Sequence, residues 1–197
     1  MRTQIPRFRL PVEVLEEELS YVIDLGINCR FGEEITSMRD LLAEGFDAIF
    51  VGTGAPLGKH VELPGFEEAR DNIHTGIEWL ANIAFEHVSS IGKKVLVLGG
   101  GNTAMDCCRT SRRIGGEEVT VVVRSGFDEM KASAWEIEDA MNEDIPILNF
   151  HVPKRYICED GKLVAMEFEK VRKEYDKNGK RLLIPTGEDP VILPCDD

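Results

Sequence analysis

Near the start of the chain, apolar residues recur at steps of three and four. Val12, Leu15, Leu19, Val22 and Ile23 share one stripe of LPVEVLEEELSYVIDL, and Gly26 follows as a stop, so Leu10 to Leu25 is predicted to be an amphipathic helix. INCRF then reads as a short strand, TSMRDLLAEG as a helix closed by Gly45, and FDAIFVGTG as a buried strand running into a glycine-containing turn. APLGKHVELPGFEEARDN is too rich in Gly and Pro for regular structure and reads as a connection over the surface. In HTGIEWLANIAFEHV, Ile77, Leu80, Ala81 and Ala84 fall on one side of a further helix.

The pattern then sharpens. KKVLVLGGGNTAMDCCRTSRRIGGEEVTVVVRS is a strand, a glycine turn, a helix and a second strand, which is one βαβ unit. A helix over Ala134 to Asn142 and the strand IPILNFHV would extend the sheet by a third parallel strand. From Pro153 the period falls to two through KLVAMEFEKVRKEY, the turn-like DKNG, RLLIP and DPVILP, which reads as an antiparallel meander. The predicted fold class is α/β, a Rossmann-like parallel sheet with helices and a β-meander. No fixed-period repeat or low-complexity segment interrupts it.

Composition narrows the function. The 197 residues are 43% hydrophobic and 30% charged, enough apolar material for one or two folded domains. Acidic residues number 36 against 23 basic ones, and the net charge of −13 repels nucleic-acid backbones and anionic lipid unless a basic patch overrides it. No such patch is visible, so neither nucleic acid nor membrane is an expected partner. Apolar runs stay well short of the roughly 20 residues that span a bilayer, and the first residues lack the apolar middle of a secretory signal, so a cytoplasmic protein is expected. The five cysteines (Cys29, Cys107, Cys108, Cys158, Cys195) have no CxxC or zinc spacing, and no metal site is expected. Cys107 and Cys108 are adjacent, but neighbours on a helix point about 100° apart, which favours packing over a redox dithiol.

Gly99, Gly101 and Ala104 fit G-x-G-x-x-A between a strand and a helix. The first glycine permits a tight exit, the second lets a pyrophosphate approach the backbone, and the small third residue lets helix pack on sheet. Free N–H groups at the helix start would face the anion. A turn that merely gives the strand a sharp exit is the competing explanation. Directly after VTVVV stands Arg124, where an Asp or Glu would bind the ribose hydroxyls of NAD. A guanidinium there can grip a 2′-phosphate in a fork and favours NADPH, with Lys131 as a second cation; a solvated loop charge is the alternative for both. Arg109, Arg112 and Arg113 read as solvated helix charges. No nucleophile elbow, metal-binding helix or P-loop appears, and His60, His74, His87 and His151 are scattered. With no catalytic residue expected, the chemistry would be the cofactor's.

Several of these stretches resemble a known family. IPRFRLPVEVLEEEL looks like the I-P-x-x-R-L-P segment of the glutamate synthase small (beta) subunit, and FDAIFVGTGA looks like its short strand touching FAD. VLVLGGGNTAMDCCRTSRRIGGEEVTVVVRS resembles the NADPH-binding unit of that subunit and of the related FAD half of dihydropyrimidine dehydrogenase. The resemblance implies an FAD-dependent pyridine nucleotide oxidoreductase in which electrons pass from NADPH to FAD and on to iron–sulfur clusters. It implies that Gly99, Gly100, Gly101, Asn102, Thr103 and Ala104 line the pyrophosphate, that Arg124 and Lys131 meet the 2′-phosphate, and that Gly52, Thr53 and Gly54 lie by FAD. Ser125 stands where the family often has a second basic residue, which keeps NADH open as the donor. Residues 1–90 would be a remnant of an FAD-binding domain and 91–197 an NAD(P)H-binding Rossmann domain, an excised piece expected not to turn over alone. The implied partner is a large glutamate synthase-like subunit or another iron–sulfur subunit. The alternatives are an NAD(P)H electron-input subunit of a different iron–sulfur enzyme and a non-catalytic nucleotide-binding module.

Overall fold

The amphipathic stripe folds as α1 (Val12–Ile23) in a computed structural model that describes residues 2–55 and 57–197. Leu15 alone of this helix is buried. The second predicted helix is α2 (Met38–Ala43), started by Ser37, whose hydroxyl accepts from Asp40 N–H at 3.2 Å. Neither strand expected nearby forms. Residues 27–31 and 46–54 are irregular, and Phe50 is 95% exposed. A strand needs a neighbour to take its N–H and C=O groups, and among the described residues nothing pairs with either stretch.

The Gly- and Pro-rich connection is more ordered than its composition suggests. It contains α3 (Phe66–Ala69) and a 3₁₀ turn over Arg70–Asn72, and it is followed by α4 (Gly76–Ala84). Tyr156 holds it from below: its N–H donates to Pro64 O and its hydroxyl to Val61 O, both at 2.9 Å.

The βαβ unit forms as read. β1 (Lys94–Leu98) leads through α5 (Asn102–Arg113) to β2 (Glu118–Val122), parallel to β1 with Val95 opposite Val119. α6 (Ala134–Asn142) has the predicted limits and leads to β3 (Ile147–Leu148), which pairs with β2 in the order β1-β2-β3. The expected third strand is therefore shorter than IPILNFHV, because the chain leaves the sheet at Asn149 and His151 opens an antiparallel strand.

That second sheet consists of β4 (His151–Glu159), β5 (Lys162–Tyr175), β6 (Arg181–Pro185) and β7 (Val191–Pro194). Asp160 and Gly161 join β4 to β5, both at positive φ (51° and 75°), as a tight hairpin of this twist requires. The order departs from a simple meander. β7 pairs with Ala165–Phe168 of β5, whereas β6 pairs with Val171–Tyr175, because β5 is long enough to serve both.

The parallel sheet is buried on both faces, which is why its strands read as continuous apolar runs. Val95, Val119, Val121 and Val123 pack with Ala104, Met105, Cys108, Ala140 and Ile145 of the helical layer. Leu96, Leu98 and Val122 turn the other way, onto Tyr156, Leu163, Met166 and Phe168 of the antiparallel sheet. No helix among the described residues is long and apolar enough to cross a membrane.

Candidate functional site

The end of β1 turns sharply into α5, and each glycine there has its own reason. Gly99 has φ +136°, a conformation L side chains rarely adopt, while its N–H stays on the sheet, donating to Val122 O at 3.0 Å. A Cβ on Gly100 would lie 3.0 Å from Val123 Cγ1 and 3.1 Å from Met130 Cγ. At Gly101 a Cβ would meet nothing within 4 Å, so the space above this backbone is open. Gly101 caps α5 without any side-chain hydrogen bond. Ala104 and Met105 N–H donate back to Gly101 O at 2.9 and 3.2 Å, but the N–H groups of exposed Asn102 and Thr103 have no partner among the described residues. Two orphan donors and the positive end of a helix dipole thus face open space, the requirement for holding an anion.

The loop after β2 is tied to this turn. Gly100 O accepts from the N–H groups of Lys131 and Ala132, both at 2.9 Å, and Asn102 Oδ1 accepts from Ser133 N–H at 2.8 Å. Arg124 and Lys131 are exposed on this loop and form no ion pair among the described residues. The carboxylates close by are already engaged: Asp128 with Lys173 at 3.2 Å and Glu129 with Arg181 at 3.0 Å. Both cations therefore keep their charge available for an external anion.

On the opposite, outer edge of β1 lies a cavity of about 340 Å³ that opens beside Gly99, Gly101 and Thr103. His60, Thr75 and Trp79 contribute to its wall. Thr75 Oγ1 and His60 Nδ1 are 3.2 Å apart, and Trp79 Nε1 is buried with no hydrogen-bond partner among the described residues. Gly52, Thr53 and Gly54 are not part of this wall. They lie in the exposed irregular segment before Pro56, and the structure does not bring them to the glycine turn.

The adjacent cysteines are packing groups. Cys107 and Cys108 are buried, and loss of hydration pushes both thiols upward, that of Cys108 to about 12. Cys108 Sγ donates to Met105 O at 3.2 Å within its own helix. Thiols held so far from ionisation are poor nucleophiles near neutral pH. No group of ligating side chains among the described residues could hold a metal ion.

Arg109 corrects its sequence reading as a solvated charge. It is 8% exposed and pairs with Glu136, Asp139 and Glu143 at 3.2, 3.0 and 2.9 Å. Glu136 and Asp106 are also buried, and Arg9, far away in sequence, reaches both. Periodicity could not reveal this set, because one partner sits in an irregular segment and the acids lie on two helices that meet only in the fold.

The sequence profile of the pyridine nucleotide-disulphide oxidoreductase family matches residues 13–196. The chain belongs to that family. Among this chain's relatives, the beta subunit of the NADP(+)-dependent formate dehydrogenase of Moorella thermoacetica is 34% identical over 199 residues, covering 98% of this chain and 28% of that protein. The beta subunit of the NADPH-Fe(3+) oxidoreductase of Geobacter sulfurreducens is 30% identical over 200 residues, covering 98% and 29%. The chain thus spans less than a third of the length of these relatives. Among solved structures, FprA of Mycobacterium tuberculosis in complex with NADPH shares the fold, with a TM-score of 0.75 at 16% identity over 99% of this chain and 59% of that one.

Proposed function

We propose that this chain is the nicotinamide-nucleotide-binding part of a flavoprotein that takes hydride from NADPH and delivers electrons, through FAD, to an iron–sulfur partner. The observation that carries the reading is the glycine turn: an α5 without a side-chain cap, N–H groups on Asn102 and Thr103 without partners among the described residues, open space above Gly101, and beside it exposed cations at Arg124 and Lys131 with no ion pair among those residues. A pyrophosphate suits the first three features, and a 2′-phosphate suits the last. On this reading Gly99, Gly100, Gly101, Asn102, Thr103 and Ala104 hold the linked phosphates, and Arg124 with Lys131 holds the adenosine end. The cavity on the far edge of β1, with His60, Thr75 and Trp79, is left for the nicotinamide end. Bound nucleotide supplies the hydride; the protein's part is to hold and orient it.

Residues 1–90 are assigned to the flavin side and 91–197 to the nucleotide side, with Gly52, Thr53 and Gly54 near FAD in the assembled flavoprotein. Among the described residues no cradle surrounds those three. The relatives that are beta subunits of NADP- or NADPH-dependent enzymes support an electron-input role with a partner subunit. A glutamate synthase small subunit is one form of that role, and the I-P-x-x-R-L-P resemblance is what supports it. The test is a titration of the chain with NADPH, followed by nucleotide fluorescence and by amide chemical shifts. Saturable binding with shifts centred on residues 99–104 and 124–133 is expected. Absence of binding, or shifts centred elsewhere, would overturn the proposal.

A further inference from the structure

The segment around Arg9 makes contacts that nucleotide binding alone does not call for. Arg9 and Leu10 N–H donate to Pro6 O at 2.9 and 3.1 Å, closing a tight turn from which the side chains reach separate helices. Arg7 donates to Ala84 O at the end of α4 at 3.3 Å. The Phe8 ring lies against the guanidinium groups of Arg113 and Arg109, 3.9 and 4.9 Å from its centroid. Arg9 Nη1 donates to both oxygens of Asp106 on α5, at 2.7 and 2.9 Å, and its Nη2 lies 2.6 Å from Glu136 Oε1 on α6.

Asp106 and Glu136 are 6% and 5% exposed at the side chain, so two buried carboxylates on different helices share this one cation. Glu136 has Arg109 as a second partner at 3.2 Å, whereas Asp106 has no other ion pair among the described residues. Without Arg9 the acids would repel across a poorly hydrated gap and the helices would move apart. Both helices begin at the nucleotide site. Asp106 is one turn into α5, the helix whose first N–H groups are free. Glu136 is in the first turn of α6, directly after Ser133, whose N–H is held by Asn102. Lys131 lies two residues before Ser133, so the placement of α6 sets the placement of that cation.

We infer that Arg9 is a positioning residue for cofactor selectivity: by bridging Asp106 and Glu136 it fixes the start of α6 against α5 and so holds the Arg124–Ser133 loop where a 2′-phosphate is recognised. The inference rests on the nucleotide reading above. It makes docking of the Pro6–Leu10 turn and binding of NADPH mutually reinforcing, since coupling between two sites is reciprocal.

The experiment compares NADPH and NADH dissociation constants for the unaltered chain, Arg9→Gln, Arg9→Gln with Glu136→Gln, and Arg7→Gln. Arg9→Gln should weaken NADPH on the order of fivefold to tenfold, a modest allosteric coupling, with a smaller change for NADH. Glu136→Gln in the same chain removes the repulsion and should restore most of the NADPH preference, and Arg7→Gln should leave it alone. A role in folding alone would move both cofactors together. In a measurement that needs no variant, saturating NADPH should slow hydrogen exchange at the Arg9 and Leu10 amides more than saturating NADH does. An unchanged NADPH-to-NADH ratio in Arg9→Gln refutes the inference while leaving the nucleotide reading intact. If Arg9→Gln does not fold, exchange at those amides that is indifferent to NADPH refutes it instead. Failure of the unaltered chain to bind either nucleotide removes both.

Discussion

Arg124→Glu tests the charge at the end of β2. In the structure this guanidinium is exposed, has no carboxylate partner among the described residues and sits on a loop pinned to Gly100 and Asn102. Its replacement therefore breaks no internal ion pair, and any loss in affinity comes from the ligand. A hydrogen bond to a charged group contributes about 1.5–3 kcal/mol net, and exposure to salt water places this one toward the low end. Reversal of charge adds a repulsive term, so a loss of about 2 kcal/mol, on the order of thirtyfold, is expected for NADPH. NADH lacks the 2′-phosphate and should change by no more than about twofold on the same scale. Calorimetric or fluorescence titrations at low and high salt provide the assay, and the gap between the cofactors should narrow as salt rises. It should also narrow below about pH 6, where the phosphate monoester dianion takes up a proton and becomes a monoanion. Equal losses for both nucleotides, or a gap indifferent to salt, would refute the assignment of Arg124.

Three further predictions follow from the same geometry. Gly101→Ala should leave thermal stability nearly unchanged, because its Cβ enters open space, yet abolish nucleotide binding; Gly100→Ala, pressed on Val123 and Met130, should lower stability by about 1–3 kcal/mol, read from the shift in Tm. A thiol reagent at pH 8 should label exposed Cys29 quickly and leave buried Cys107, Cys108 and Cys195 unreacted until the chain is unfolded, as mass spectrometry of the labelled protein would show; rapid labelling of Cys108 would contradict its upward-shifted thiol. The Arg113 guanidinium beside Glu143 holds that carboxyl below its ordinary value, so its stabilising contribution is full above the unfolded value near pH 4.3 and is lost as pH falls through the folded one. Glu143→Gln should accordingly flatten the acid limb of the stability curve in denaturant titrations, and an unchanged limb would count against the pair.

Local signals were strong where structure is local. The 3.6-residue stripe of α1, the limits of α6 and the apolar runs of β1 and β2 were legible, as was the long alternating strand β5, because each element carries its own period; yet of the α1 stripe only Leu15 is buried. The Gly99–Ala104 turn was legible for the same reason: a tight exit from a strand into a helix restricts which residues can stand there. FDAIFVGTG shows the limit, since its composition suits a strand but nothing among the described residues pairs with it. Nor could spacing show that β7 would return to β5, because strand order depends on which edges remain open once the other strands have paired.

What the amino-acid sequence by itself determined is the βαβ unit, the helices α1, α2, α4 and α6 and the residue types of the turn: a glycine-rich helix start with a cation one strand away. Tertiary structure alone decided that Arg124 and Lys131 stay exposed with no ion pair among the described residues while Arg109 is drawn inward, and that Arg9 closes on Asp106 and Glu136. The physical reason is range. Helix and turn preferences are settled within a few residues of backbone, whereas the state of a charge depends on burial and on which opposite charges the fold carries to within about 4 Å.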